Sequence, residues 1–219
     1  MPGTYKPPVL RTGSKSSGLV PETEADILVA GSVAVDLSCD YTPLDADAPS
    51  SVVAHTSNPA VISQTIGGVG HNVATAAHLI GNNTTVRLCS IVADDLAGKV
   101  ILSSLRERGL DVSSIMIQDR TAKNSPQTAQ YVAINDGHKD LALAMADMRI
   151  ISSPIDDFTP WKTAIDSSKP KWVVVDANWN ESAIFQWTKE AKRAGASVAF
   201  EPVSVEKAKK LFPAKIACR

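Results

Sequence analysis

The stretch Gly67-Gly68-Val69-Gly70-His71-Asn72-Val73-Ala74-Thr75-Ala76-Ala77-His78-Leu79-Ile80-Gly81 sets three glycines before a segment whose apolar positions Val73, Ala76, Ala77 and Ile80 recur at helical spacing. The spacing predicts a helix over about 71–80, and Gly81 is a good stop. Glycines let backbone approach a ligand closely and reach positive φ without strain. Free N–H groups at a helix start attract oxygen-rich ligands, and an asparagine in the first turn, Asn72, can both donate to and accept from a sugar hydroxyl. A plain glycine turn before a packed helix fits the same string, and spacing alone leaves both readings open. A dinucleotide-binding βαβ unit does not fit. Its GxGxxG must follow the first strand directly, whereas here that strand runs into Gly31-Ser32-Val33 and the glycine cluster comes more than thirty residues later.

Working outward, order is expected to begin near Asp26. Ile27-Leu28-Val29-Ala30-Gly31 is a short apolar run of the kind found in buried parallel strands. Val33, Val35 and Leu37 alternate as a half-exposed strand, and residues 42–58, rich in Pro, Ser, Asp and Ala, read as a loop. Strands are expected at Val86–Val92, Val112–Ile117, Trp172–Asp176 and Ser197–Phe200. Helices are expected from the Asp94-Asp95 cap to Arg108, at Trp161–Ser167, at Ser182–Arg193 and from Val205. Thr128–Ile134 and His138–Met145 flank Asn135-Asp136-Gly137, a hairpin signal. Strands alternating with helices predict an α/β layered sandwich with a mostly parallel sheet of four or five strands, a small β flap, and one bare sheet edge.

The chain has 219 residues, 44% of them hydrophobic and 21% charged, which supports a folded core. A net charge of -1 gives no general electrostatic reason to bind nucleic acid or an anionic membrane. Cys39, Cys89 and Cys218 and the four histidines are scattered without metal-ligand spacing and no HExxH occurs, so no metal site is expected; the cysteines read as reduced thiols. With no apolar run near the ~20 residues of a membrane span and no signal-peptide core, a cytoplasmic location is expected. Residues 1–25 read as a flexible leader or linker and 214–219 as a tail.

The glycine stretch resembles the first signature of the PfkB (ribokinase-like) sugar and nucleoside kinases, and other strings agree in order. Val29-Ala30-Gly31-Ser32-Val33-Ala34-Val35-Asp36 resembles that family's opening strand and its sugar-binding Asp. Val92-Ala93-Asp94-Asp95-Leu96-Ala97-Gly98 resembles its V-G-D-D-x-x-G, with Ala93 in place of the glycine. Asp176-Ala177-Asn178 and Glu201-Pro202-Val203-Ser204-Val205-Glu206-Lys207 resemble stretches of pseudouridine kinases in particular. The resemblance implies a ribokinase-like α/β/α sandwich over 26–213, cut short at the C-terminus, with lid strands at about 33–41 and 128–146. It also implies a pentose site. Asp36, an acceptor-only carboxylate, would take ribose hydroxyls; Gly67, Gly68 and Asn72 would line the same ribose, and Asn178 would add a polar contact at a strand end. A strand-end turn for Asp36, an Asx turn for Asn178, a structural role for Glu201 and helix capping for Asp94 and Asp95 are the alternatives.

No D-T-x-G-A-G-D, which in that family supplies the anion hole and the catalytic base, occurs in the chain, nor does GxxxxGK[ST]. No catalytic residue is therefore nominated. The resemblance implies ATP and Mg2+ as the full-length family's cofactors, with their sites largely absent here. Its lineage activity is 5′-phosphorylation of pseudouridine or a related nucleoside or sugar, by a chain expected to be inactive alone. It also implies pairing of two copies through the lid and, in the full-length protein, fusion to a pseudouridine-phosphate glycosidase. A non-catalytic nucleoside binder or regulatory pseudokinase and a lid-mediated interaction module are the alternatives.

Overall fold

The computed structural model describes residues 24–211, apart from 46, 48, 82 and 121–124. Of the leader expected over 1–25, residues 1–23 lie outside the described residues, as does the tail over 214–219, while Ala25 is buried and its N–H donates to Ser168 O. In chain order the elements are β1 (Ile27–Ala30), β2 (Ala34–Tyr41), β3 (Ala60–Gly67), α1 (Val69–Ile80), β4 (Val86–Ala93), α2 (Leu96–Glu107), β5 (Ile115–Gln118), β6 (Gln130–Asn135) and β7 (Leu141–Asp147). Then come α3 (Arg149–Ser152), α4 (Thr159–Ser168), β8 (Trp172–Asp176), α5 (Glu181–Arg193), β9 (Ser197–Glu201) and α6 (Val205–Ala208), closed by a 3-10 turn at Lys209–Leu211.

Five strands form the central sheet in the order β5-β4-β1-β8-β9, every neighbouring pair parallel. The chain builds outward from β1 through β4 to β5, then returns to the other side of β1 to add β8 and β9. The strand order therefore reverses beside β1, and in open parallel sheets the crevice at such a reversal, outside the carboxyl ends of the strands, is where ligands bind. Because side chains alternate across a strand, the apolar strands feed two cores. Leu28, Ala30, Val173 and Val175 pack with Trp161, Ile165, Ile184 and Trp187 on one face. Val29, Leu88 and Val92 pack with Ala74, Ile101, Leu102 and Leu105 on the other. The result is the expected α/β/α sandwich. Among the described residues β5 and β9 are its edges, each paired on one side only.

Helix α1 buries only part of the face its apolar spacing predicts: Val73 and Ala77 pack against the core, while Ala76 and Ile80 are exposed. Gly70, His71 and Ala74 are buried, while Ile80 is 83% exposed. Small residues at 70 and 74 let the helix lie close on the sheet, and close approach outweighs the greater apolar area of the Ala76–Ile80 side. Strand β5 begins at Ile115, after a turn in which Ile115 N–H donates to Val112 O, so Val112 is not part of the strand.

The β flap is a four-stranded sheet, β3-β2-β6-β7, with β2 antiparallel to β3, parallel to β6, and β6 antiparallel to β7. The β6–β7 hairpin forms, but not around a two-residue Asp-Gly turn. The Asp136 carboxylate accepts from His138 and Asp140 N–H, Lys139 takes the left-handed φ of 69°, and Gly137 N–H donates to Ser50 O. The loop over 42–58 thus claims the glycine and lengthens the turn. Asp95 caps α2 as its position suggests, accepting from Gly98 N–H at 2.8 Å, and it also takes the N–H and hydroxyl of Thr128, tying the start of the second lid segment to the sandwich. Asp94 makes an exposed pair with Lys99.

Candidate functional site

The site begins where β1 stops. A Cβ on Gly70 would come within 2.4 Å of the Gly31 carbonyl carbon, and one on Gly31 within 2.7 Å of Gly70 Cα, so these two glycines let the start of α1 touch the end of β1. Gly68, with φ 95°, turns the chain into the helix against the Ser32 carbonyl, a conformation that favours glycine. This contact makes Ser32, on the short connection between β1 and β2, the neighbour of the helix start.

The buried carboxylate of Asp176, at the end of β8, joins the three segments. Its Oδ2 accepts from Ser32 N–H (2.7 Å), Ser32 Oγ (2.9 Å), Gly70 N–H (3.1 Å) and Asn178 Nδ2 (3.1 Å), and its Oδ1 accepts from Asn178 N–H (2.9 Å). Ser32 Oγ in turn accepts from Val69 N–H at 3.0 Å, and Ser32 O from His71 N–H. The expectation of free N–H groups at this helix start is thereby corrected: those of Val69, Gly70 and His71 bond to Ser32 and Asp176, and Asn72 N–H bonds to Gly68 O. A helix start neutralised by a carboxylate offers no anion site; its role is to hold the pocket wall in place.

Above this floor lies a cleft of about 330 Å³ lined by Ser32, Ala34, Asp36, Gly68, Val69, Asn72, Tyr131, Ala146, Met148, Asn178, Val203 and Lys207. Four of the five nominated residues, Asp36, Gly68, Asn72 and Asn178, thus share one cavity. The fifth, Gly67, is buried beneath it: a Cβ there would overlap the Asp36 carboxylate, 1.9 Å from Oδ2, so Gly67 provides the space Asp36 occupies. Two larger depressions, of about 440 and 460 Å³, lie on the other face of the lid sheet, the first of them against the start of α2, and include none of the five. The smaller cleft alone sits at the strand-order reversal.

Asp36 stands within β2, not at its end, and its carboxylate has no hydrogen-bond or ion-pair partner among the described residues. Burial pushes its carboxyl above the usual carboxylate range. An acceptor left without donors and aimed at a cavity is what a polyhydroxylated ligand would satisfy. Register places Tyr131 and then Ala146 beside Asp36 on the inner lid face. Asn72 is exposed at the rim, its Oδ1 3.2 Å from His71 Nδ1. Asn178 is only 4% exposed, and its amide is engaged: Nδ2 donates to Ser32 Oγ and Asp176 Oδ2, and Oδ1 accepts from Lys207 Nζ at 2.6 Å. The Asx turn here is made by Asp176, not by Asn178.

The far wall carries strain. Val203 has a φ of 62° and Ser204 N–H donates to Pro202 O, a γ-turn on the left-handed side, costing on the order of 1–3 kcal/mol for a β-branched residue. Glu201 serves this turn, its Oε1 accepting from Val203 N–H at 2.9 Å. Lys210 donates to the carbonyls of Ala177 and Trp179, and burial, with the nearby Lys207 charge, pulls its ammonium below the usual range.

Ser32, Tyr131, Met148, Val203 and Lys207 in the lining, and Asp176 beneath it, are the residues that sequence reasoning missed. Asp176-Ala177-Asn178 held the one usable signal, alternate polar residues at the end of an apolar strand. Among the described residues no group of three or more His, Cys, Asp or Glu could hold a metal ion, and no helix is long and apolar enough to cross a membrane.

A parallel α/β/α sandwich with a β lid over a polar cleft at the strand-order reversal defines a ribokinase-like scaffold. The chain belongs to the pfkB family of carbohydrate kinases, whose sequence pattern matches residues 24–147. It is 30% identical over 189 residues to a pseudouridine-metabolizing bifunctional protein of Schizosaccharomyces pombe, covering 86% of this chain and 23% of that protein. It is 28% identical over 155 residues to the pseudouridine kinase of Escherichia coli, covering 71% of this chain and 46% of that one. The chain therefore spans less than half the length of these relatives. The structure of Arabidopsis thaliana ribokinase complexed with ribose and ATP shares the fold, with a TM-score of 0.66 at 16% identity over 81% of this chain and 53% of that chain.

Proposed function

We propose that the cleft holds the pentose of a nucleoside, pseudouridine first among the candidates, and that the chain is the substrate-binding part of a kinase that makes the 5′-phosphate from ATP. The observation that carries this is Asp36: a carboxylate without a partner among the described residues, in a cleft floored by the Asp176 network. The relatives named for pseudouridine support the base. The bifunctional relative supports fusion to a glycosidase in the full-length protein.

The described residues of the cleft and of the α1 and α2 starts do not fit ATP and Mg2+. The α1 start is taken up by Ser32 and Asp176, the α2 start is capped by Asp95, and no D-T-x-G-A-G-D occurs. Phosphoryl transfer needs a positioned base and stabilisation of the phosphate charge, and no described side chain in the cleft is placed for both. The purified 219-residue chain is thus expected to bind pseudouridine in calorimetry with no effect of ATP, and to give no ATP-dependent pseudouridine phosphate. Turnover above background would overturn the inactivity.

One observation favours a second role, pairing of two copies through the lid. Its outer face exposes Ile62 (65%) and Met145 (64%) beside Leu143. A strictly monomeric mass by light scattering at tens of micromolar would remove that reading.

A further inference from the structure

Asn178 is placed at the cleft, but its donors are not available to it. Both hydrogens of its amide nitrogen are directed to Ser32 Oγ and Asp176 Oδ2, and its backbone N–H to Asp176 Oδ1. An amide has two donors, so none remains for a ligand. Its oxygen already accepts from Lys207.

Lys207 is in the opposite situation. Carried into the cleft lining by α6, it is half-buried, and its ammonium makes one hydrogen bond, 2.6 Å to Asn178 Oδ1. An ammonium has three donors, and among the described residues no carboxylate pairs with this one, whose single side-chain hydrogen bond is that to Asn178. The anchored amide therefore acts as a rest that holds the ammonium at the cleft with two hydrogens uncommitted. The cleft is thus bipolar: Asp36 can only accept, Lys207 can only donate, and Tyr131 and Met148 add apolar surface to the same lining. A free pentose, hydroxyls and a ring oxygen, carries no carbonyl or charged oxygen for a cation to hold.

We propose that Lys207 is a direct ligand contact, holding an oxygen acceptor that the ligand carries beyond its pentose hydroxyls: a carbonyl of the base or an oxygen of the 5′-phosphate. This rests on reading the cleft as a pentose site. Lys207 then sets specificity for an elaborated nucleoside over the bare sugar, with Asn178 as its positioning residue.

The test is calorimetric titration of the full chain and of Lys207→Met with ribose, pseudouridine and pseudouridine 5′-phosphate. Methionine keeps the stem and removes the donors, and unchanged ribose binding reports an intact site. A charge-assisted hydrogen bond is worth ~1.5–3 kcal/mol, so affinity is expected to fall about tenfold or more. A loss for both pseudouridine and its phosphate assigns the contact to the base; a loss for the phosphate alone assigns it to the phosphate. Lys207→Gln, which keeps an N–H donor, is expected to recover part of the loss. Unchanged affinity for all three ligands, or an equal loss that includes ribose, would overturn the proposal and reduce Lys207 to a support for Asn178. If the wild-type chain binds neither ribose nor pseudouridine, the pentose reading itself fails, which is a separate outcome.

Discussion

Asp176→Ala is expected to lower unfolding stability by roughly 3–5 kcal/mol, because it leaves buried donors without acceptors at ~1–3 kcal/mol each. The carboxylate collects five hydrogen bonds from Ser32, Gly70 and Asn178. The backbone N–H groups of Ser32 and Gly70 are fixed by the contact of β1 with α1 and cannot turn to water without parting those elements. Against a typical domain stability of ~5–15 kcal/mol, such a loss would shift the thermal midpoint by about 10 °C. Asp176→Asn should cost less, since the amide oxygen can keep the four donors on Oδ2 while only the Asn178 N–H then faces an NH2 group. Denaturant titration of both variants measures this. A loss below about 1 kcal/mol for alanine would mean that the network does not join β8 to the first βα unit.

Asp36→Asn should do the reverse: weaken ligand binding and stabilise the empty chain. The carboxylate has no partner among the described residues, and burial raises its pKa in the folded state. A group raised in this way gives its full contribution to stability below its unfolded pKa, near 3.9, and loses it as pH rises through the folded value. At pH 7 the ionised Asp36 therefore opposes folding, and the asparagine variant should melt higher. Its advantage should shrink as pH falls and vanish below about pH 4, where the carboxyl is neutral in both states. Binding moves the other way, since two ribose hydroxyls lose an ionised acceptor and affinity should drop tenfold or more. Melting curves from pH 4 to 8 with and without pseudouridine test both parts. An asparagine variant that melts lower at pH 7, or binds as tightly, would show that Asp36 supports the fold instead of the ligand.

The frame of the molecule could be read from local chemistry. Ile27–Gly31, Val86–Val92 and Trp172–Asp176 are apolar runs too short for helices and bounded by turn residues, and the glycine before α1 and the Asp95 cap mark helix starts by their own backbone requirements. Gly68, Asn72 and Asn178 meet because they sit just past a strand end or in the first helix turn, places that topology brings together, and Asp36 joins them from near the start of β2, which follows β1 after a three-residue connection.

What stayed hidden depends on contacts between distant segments. Ser32 and Asp176 are 144 positions apart, and nothing in either neighbourhood says that the carboxylate will occupy the N–H groups of α1. The Asp-Gly signal predicted a hairpin but not its turn, because Ser50 takes the Gly137 N–H. Asn178 was chosen for its strand-end position, yet its donors are used within the fold, and the uncommitted donors belong to Lys207, 29 positions later. Local pattern thus locates the cleft, while the partner of each polar group in it is settled by packing.

The most direct test is a crystal structure of the chain grown with pseudouridine. The account predicts the ribose in the cleft under the lid, two of its hydroxyls within hydrogen-bond distance of the Asp36 carboxylate, and Tyr131 over the ligand. Pseudouridine in one of the depressions on the other face of the lid sheet, or in the cleft with Asp36 turned away from it, would contradict the account.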